Sequence, residues 1–140
     1  MAKILITGGM GAIGSNLANF LNSKKHKIVV IDNLSTPSKN ILNKNIIFYN
    51  CSILNKNKLN KIFKSHKFDY LIHSAAFFAN QNSIDHPSKD LMVNGIGIIN
   101  ILELLKNSKV IKIIFLSSSC VYTNNYKENK FSINSKSTPY

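Results

Sequence analysis

At 140 residues, 44% of them hydrophobic, the chain is long enough to bury the core of one domain and too apolar to be disordered. Its net charge of +12 invites a nucleic-acid or anionic-surface partner, yet all 18 basic residues are lysine, whereas bidentate reading of phosphates and bases favours arginine. The lysines are therefore read as solvated surface in a compositionally biased chain, and no nucleic-acid partner is expected.

Cys51 and Cys120 stand far apart, with no histidine at ligand spacing. That pattern argues against a disulfide framework and against a metal site, and it suits a reducing cytoplasm. The N-terminus enters an apolar run directly, without a signal-peptide pattern, and no stretch approaches the roughly 20 apolar residues of a membrane span. A cytoplasmic chain with no membrane partner is expected.

The first element is an apolar run, Ile4-Leu5-Ile6, of the kind buried on both faces of a parallel sheet. Gly8, Gly9, Gly11 and Gly14 follow within seven residues and account for four of the six glycines. A helix comes next, with Ile13, Leu17, Phe20 and Leu21 on one face. Strand, glycine turn and helix together read as a phosphate cradle. Missing side chains let the backbone bend, let a diphosphate approach N–H groups at the helix N-terminus, and let helix and strand pack closely. The spacings Gly9-x-Gly11-x-x-Gly14 and Gly8-x-x-Gly11-x-x-Gly14, the second after Thr7, both fit dinucleotide fingerprints. A tight turn with no ligand is the competing reading.

Lys27-Ile-Val-Val-Ile-Asp32 is a second buried strand, ending in a carboxylate 18 residues after Gly14. That is where a dinucleotide-binding unit places the acid that grips the adenosine ribose, and its charge favours NAD over NADP. A helix cap or turn role remains the alternative for Asp32. Asn33 to Asn40 is a polar loop facing the ligand crevice. Ile46–Tyr49 is a third strand, and Leu59, Ile62 and Phe63 form one face of a lysine-rich helix. Tyr70–His73 is a fourth strand, followed by the small residues Ser74, Ala75 and Ala76.

The longest helix is expected from about Ser88 to Lys106. It carries two apolar stripes: Leu91, Gly95, Ile98, Leu102 and Leu105, and beside them Met92, Ile96 and Ile99. Such a helix packs on the sheet and on something else. Ile111–Leu116 is a fifth strand, and the residues from Thr123 to Tyr140 read as loop. Strand and helix alternate throughout, which implies an α/β fold: a Rossmann-type doubly wound parallel sheet with right-handed crossovers in the order 3-2-1-4-5, forming one domain over 1–140.

Thr7-Gly-Gly-Met-Gly-Ala-Ile-Gly14, Asp32-Asn-Leu-Ser-Thr36, His73-Ser-Ala-Ala76, Asn94 with Gly97 and Asn100, and Ser117-Ser-Ser-Cys-Val-Tyr122 resemble extended short-chain dehydrogenases. Within these the chain is most similar to the NAD-dependent nucleotide-sugar epimerases and dehydratases. The resemblance implies NAD as cofactor, held by Thr7, Gly8, Gly11, Ala12, Ile13, Gly14, Asp32, Asn33, Ser52, Ile53, His73, Ala75, Ala76, Asn94 and Ser117. It implies a nucleotide-sugar substrate oxidised transiently at a hydroxyl, with Ser118 holding the sugar oxygen and Tyr140, after Thr138-Pro139, as base. Strand-end capping and a loop aromatic are the plainer readings of Ser118 and Tyr140. A tyrosine with its usual pKa of about 10 is a poor base at neutral pH. In the family a lysine four residues on lowers that pKa, and here the position lies beyond Tyr140.

The chain departs from the family in having Cys51-Ser52-Ile53 where an acid usually contacts the adenine, and Thr123 where glycine is common. A buried structural histidine is the plainer reading of His73. Family members are longer, with a sixth strand and a substrate domain, so the chain looks like an N-terminal part, with a non-catalytic NAD-binding module as the alternative. An exposed fifth strand, a partly uncovered long helix and a homodimer through Leu91–Lys106 are expected. Dehydratases of the group often carry Asp-Glu after the catalytic hydroxyl; Ser119-Cys120 leans towards an epimerase.

Overall fold

The apolar runs become parallel strands in a computed structural model of the chain, which describes residues 1–78 and 80–118. Among the described residues β1 (Lys3–Thr7), β2 (Lys27–Asp32), β3 (Ile47–Asn50), β4 (Tyr70–His73) and β5 (Lys112–Phe115) form one sheet in the order β3-β2-β1-β4-β5. The expected α/β doubly wound topology is therefore present. In the central register Leu5 stands between Val29 and Leu71, and Thr7 between Ile31 and His73.

Side chains alternate across the strands, so two cores form. On one face Ile4, Ile6, Ile28, Val30 and Ile72 pack with Ala18 of α1 (Ala12–Ser23). On the other, Leu5, Val29, Ile31 and Leu71 pack with Leu59 and Ile62 of α2 (Lys56–Ser65) and with Ile101. Leu5 and Leu71 are fully buried, where truncation to alanine costs about 2–5 kcal/mol. Asn55 caps α2, its side chain accepting a hydrogen bond from the Lys58 N–H at 3.0 Å.

The connection from β4 to β5 differs from the expected single helix. Asn80–Asp85 forms a short helix, α3, that has no apolar period to announce it. The long helical stretch then runs as α4 (Pro87–Asp90), a π-helical turn over Leu91–Ile96, and α5 (Gly97–Leu105). Only part of one expected stripe packs inward: Ile98 and Leu105 lie against the core, and the most buried positions fall outside both stripes. Gly97, Asn100 and Ile101 face inward, while Leu91, Met92, Ile96, Ile99 and Leu102 are exposed. Gly97 lets Ile53 pack directly on the helix: a Cβ would lie 2.4 Å from Ile53 Cδ1. Asn100 also faces Ile53, donating from Nδ2 to its carbonyl at 3.0 Å and fixing the loop after β3.

β3 starts at Ile47 and β5 ends at Phe115, one residue inside or outside the expected limits. Among the described residues β5 pairs with β4 alone, and Ile113, Ile114 and Phe115 are exposed. No helix among the described residues is long and apolar enough to cross a membrane, and none of their His, Cys, Asp or Glu groups could hold a metal ion.

His73 ends β4 and is 2% exposed. Its Nδ1 is 2.8 Å from Thr7 Oγ1, and its ring stacks on Phe115 at 5.5 Å between centroids. Burial lowers its pKa from 6.5 to about 4, so the imidazole is neutral at pH 7. The unfolded chain binds this proton near pH 6.5 and the folded chain only near 4, so the stability is complete above pH 6.5 and is lost as pH falls through that window. The predicted loss is about 3 kcal/mol. Urea unfolding from pH 7 to 4 should show His73→Asn less stable than wild type at pH 7, with the gap narrowing towards pH 4. A constant gap would contradict a neutral buried imidazole.

Candidate cofactor site

β1 passes into α1 through Gly8–Gly11, and the glycines there serve different ends. Gly8 has φ +68, and a Cβ on it would lie 2.6 Å from the Ala75 nitrogen. On Gly9 it would lie 2.5 Å from Val30 Cγ1, and on Gly14 2.3 Å from the Gly8 carbonyl oxygen. These three are demanded by the chain's own packing. Gly11 is not: its φ is −70, and the nearest atom to an added Cβ is the Gly8 oxygen at 3.3 Å. Space is left open at the N-terminus of α1, where the N–H groups of Ala12, Ile13 and Gly14 precede the first intrahelical bond and the helix dipole favours an anion.

The open space belongs to a crevice of about 400 Å³ at the carboxyl ends of the strands, lined by Gly8, Gly11, Asp32, Asn33, Ser52, Ile53, Ala75 and Ala76 among others. Asp32 is fixed at its rim by the backbone. Oδ2 accepts from the Met10 N–H at 2.9 Å and Oδ1 from the Leu34 N–H at 2.7 Å. The following loop is tied to the glycine turn as well. The Ser38 N–H donates to the Met10 carbonyl at 2.7 Å, and Ser15 Oγ donates to the Gly11 carbonyl at 2.8 Å while lying 3.1 Å from Ser38 Oγ.

Of the expected cofactor residues, then, eight line one crevice. Ala12 and Ile13 sit on the first turn of α1 outside its lining, able to offer backbone N–H groups, and Gly14 is buried beneath Gly8. Thr7 and His73 are buried against each other, so both act within the fold and not on the crevice surface. Asn94 is outside the lining too: its side chain accepts from the Phe77 N–H at 2.8 Å and donates to the Phe77 carbonyl at 3.0 Å and to Asp90. It holds the loop after β4. Ser117 and Ser118 lie beyond the carboxyl end of β5, outside the lining, and Tyr140 lies outside the described residues.

The wall beyond Ala76 was not expected: Phe77, Phe78, Asn82, Lys89 and Val93 line it. They follow β4, where no periodicity marks a ligand wall. Cys51 also lines the crevice, buried, with its thiol pKa raised by burial. A larger cavity of about 510 Å³ lies between α2 and α5 near the amino ends of β4 and β5, away from the glycine turn. In parallel sheets the carboxyl ends carry the ligand, so the smaller crevice is the candidate site.

Alanine at Gly8 and at Gly11 should separate fold from site. Gly8→Ala is expected to cost about 2–4 kcal/mol in urea unfolding, from backbone strain and overlap with Ala75. Gly11→Ala should change stability by less than about 1 kcal/mol yet weaken NAD binding about tenfold or more, read by calorimetric titration. Unchanged affinity in Gly11→Ala would contradict a diphosphate over this turn.

Known proteins share this sequence pattern and fold. The profile of the NAD dependent epimerase/dehydratase family matches residues 4–140. The chain is 41% identical over 129 residues to dTDP-D-glucose 4,6-dehydratase of Dictyostelium discoideum, covering 86% of this chain and 30% of that protein. The solved UDP-glucose 4-epimerase of Thermotoga maritima with UDP-glucose superposes with a TM-score of 0.82 at 35% identity, covering 86% of this chain and 39% of that one. The UDP-glucose 4-epimerase of Thermus thermophilus, solved as a complex with NAD, gives 0.83 at 27%, covering 90% and 41%. The chain thus spans 30% to 41% of the length of these proteins. By its sequence and its fold, the chain belongs to the NAD dependent epimerase/dehydratase family.

Proposed function

We propose that this chain is the NAD-binding part of a nucleotide-sugar epimerase or dehydratase that works by transient oxidation of a sugar hydroxyl. The observation that carries the reading is the pairing, in one crevice, of an open Gly11 at the start of α1 with a backbone-fixed Asp32. The residues present fit a dinucleotide. The Gly11 turn and the N–H groups of Ala12 and Ile13 hold the diphosphate, and Asp32 with Asn33 holds the adenosine ribose. Ser52 and Ile53 flank the adenine, and Ala75 and Ala76 let the backbone come close on the other side.

Bound NAD supplies a reversible hydride acceptor. The chain's own part in the chemistry is to manage a proton: Ser118 holds the sugar oxygen, and Tyr140 takes the hydroxyl proton and later returns it. A lysine beside the tyrosine is the expected means of lowering its pKa. UDP-glucose in the Thermotoga maritima structure and the dTDP-D-glucose named for the Dictyostelium discoideum relative support a nucleotide sugar as substrate.

Titration with NAD and NADP tests the cofactor. NAD should bind at least about tenfold more tightly, because a 2′-phosphate would meet the Asp32 carboxylate. Binding of neither, or tighter binding of NADP, would overturn the proposal. The exposed face Leu91, Met92, Ile96, Ile99 and Leu102 supports a homodimer through this helix. Sedimentation should find a dimer that Ile99→Glu dissociates, and a monomer at every concentration would count against it.

A further inference from the structure

Among the described residues lining the crevice, Asp32 is the one acidic and Lys89 the one basic residue. They stand on opposite sides of the glycine turn. Asp32 ends β2, Lys89 follows β4, and the strand order puts β1 between them. Lys89 is also held in place. Its Nζ lies 4.8 Å from the centroid of the Phe77 ring, and Phe77 is anchored by both backbone groups to the Asn94 side chain. Among the described residues Lys89 has no carboxylate partner, the single ion pair being Lys56 with Glu103.

A cofactor diphosphate carries two negative charges. The glycine turn meets it with N–H groups and a helix dipole but with no cationic side chain, and the chain contains no arginine. A dinucleotide whose adenosine end lies at Asp32 must cross the turn towards β4, and its second phosphate then comes to the side where Lys89 stands. We propose that Lys89, propped on the Phe77 ring, is the charge partner of the cofactor phosphate on the β4 side of the crevice. This rests on the NAD reading above. The π-helical turn contributes by presenting Asn94 to Phe77, which fixes the platform under the ammonium.

The test titrates the 140-residue chain and its Lys89→Gln and Lys89→Arg variants with NAD, ADP-ribose and adenosine at low and high salt. Lys89→Gln should weaken NAD and ADP-ribose by about threefold to tenfold, leave adenosine unchanged, and bind with a shallower salt dependence than wild type. Lys89→Arg should retain most of the affinity. Equal affinity and equal salt dependence in Lys89→Gln would overturn the proposal while leaving the NAD reading intact. So would an equal loss for adenosine, which would mark a disturbed platform in place of a lost charge. No binding of NAD by wild type would remove both readings.

Discussion

The carboxyl end of the sheet depends on how closely the first loop lies on the backbone around it. Gly8 rests on Ser74 and Ala75, Gly9 on Val30, and Gly14 on Gly8 itself, at separations no side chain could share. These contacts bring the exits of β1, β2 and β4 together and aim the start of α1 into the space between them. Gly8 N–H donates to the Ile31 carbonyl at 2.8 Å and Ser74 N–H to the Thr7 carbonyl at 3.1 Å, so the loop is joined to both neighbours. With the turn so fixed, Asp32 needs only two backbone N–H groups to hold its carboxylate at the rim. Gly8, Gly11, Ala75 and Ala76 leave main chain open to the crevice, which suits a ligand whose phosphates are bound by main-chain donors.

A second layer holds the far wall. Asn94 clamps Phe77 and Asn100 clamps Ile53, so two asparagines on one long helical stretch fix loops on either side of the crevice. Both are part of the family resemblance, and their work is positional: each satisfies backbone groups of a loop that regular structure leaves unpaired.

Much of this was legible in the sequence. The strands announced themselves because buried parallel strands are apolar on both faces, and Ile4 to Ile6 and Ile28 to Ile31 have no polar interruption. The glycines and Asp32 were legible because few other side chains could stand where they do. The π-helical turn was not. It widens one turn without any change in composition, so neither stripe gave a sign that Gly97 and Ile101 would face inward. Asn94 gave no sign that its partner would be the Phe77 backbone, a pairing set by the fold of a loop without periodicity. Phe77 reaches the crevice from that same loop and Lys89 from the short helix α4, and no periodicity marked either. Ser118 and Tyr140 were proposed from the family resemblance alone, since a hydroxyl in a serine-rich turn and a tyrosine after proline carry no chemical signal of their own in the sequence.

The account turns on where a dinucleotide lies. The most direct measurement is a nitrogen-15 NMR titration of the chain with NAD, following the backbone amides. The account predicts the largest shifts at Gly8, Gly11, Ala12 and Ile13, with smaller ones at Asn33, Ser52 and Ala75, and none along the lysine-lined cavity between α2 and α5. Shifts centred on that cavity, or none at the glycine turn at saturating NAD, would contradict it.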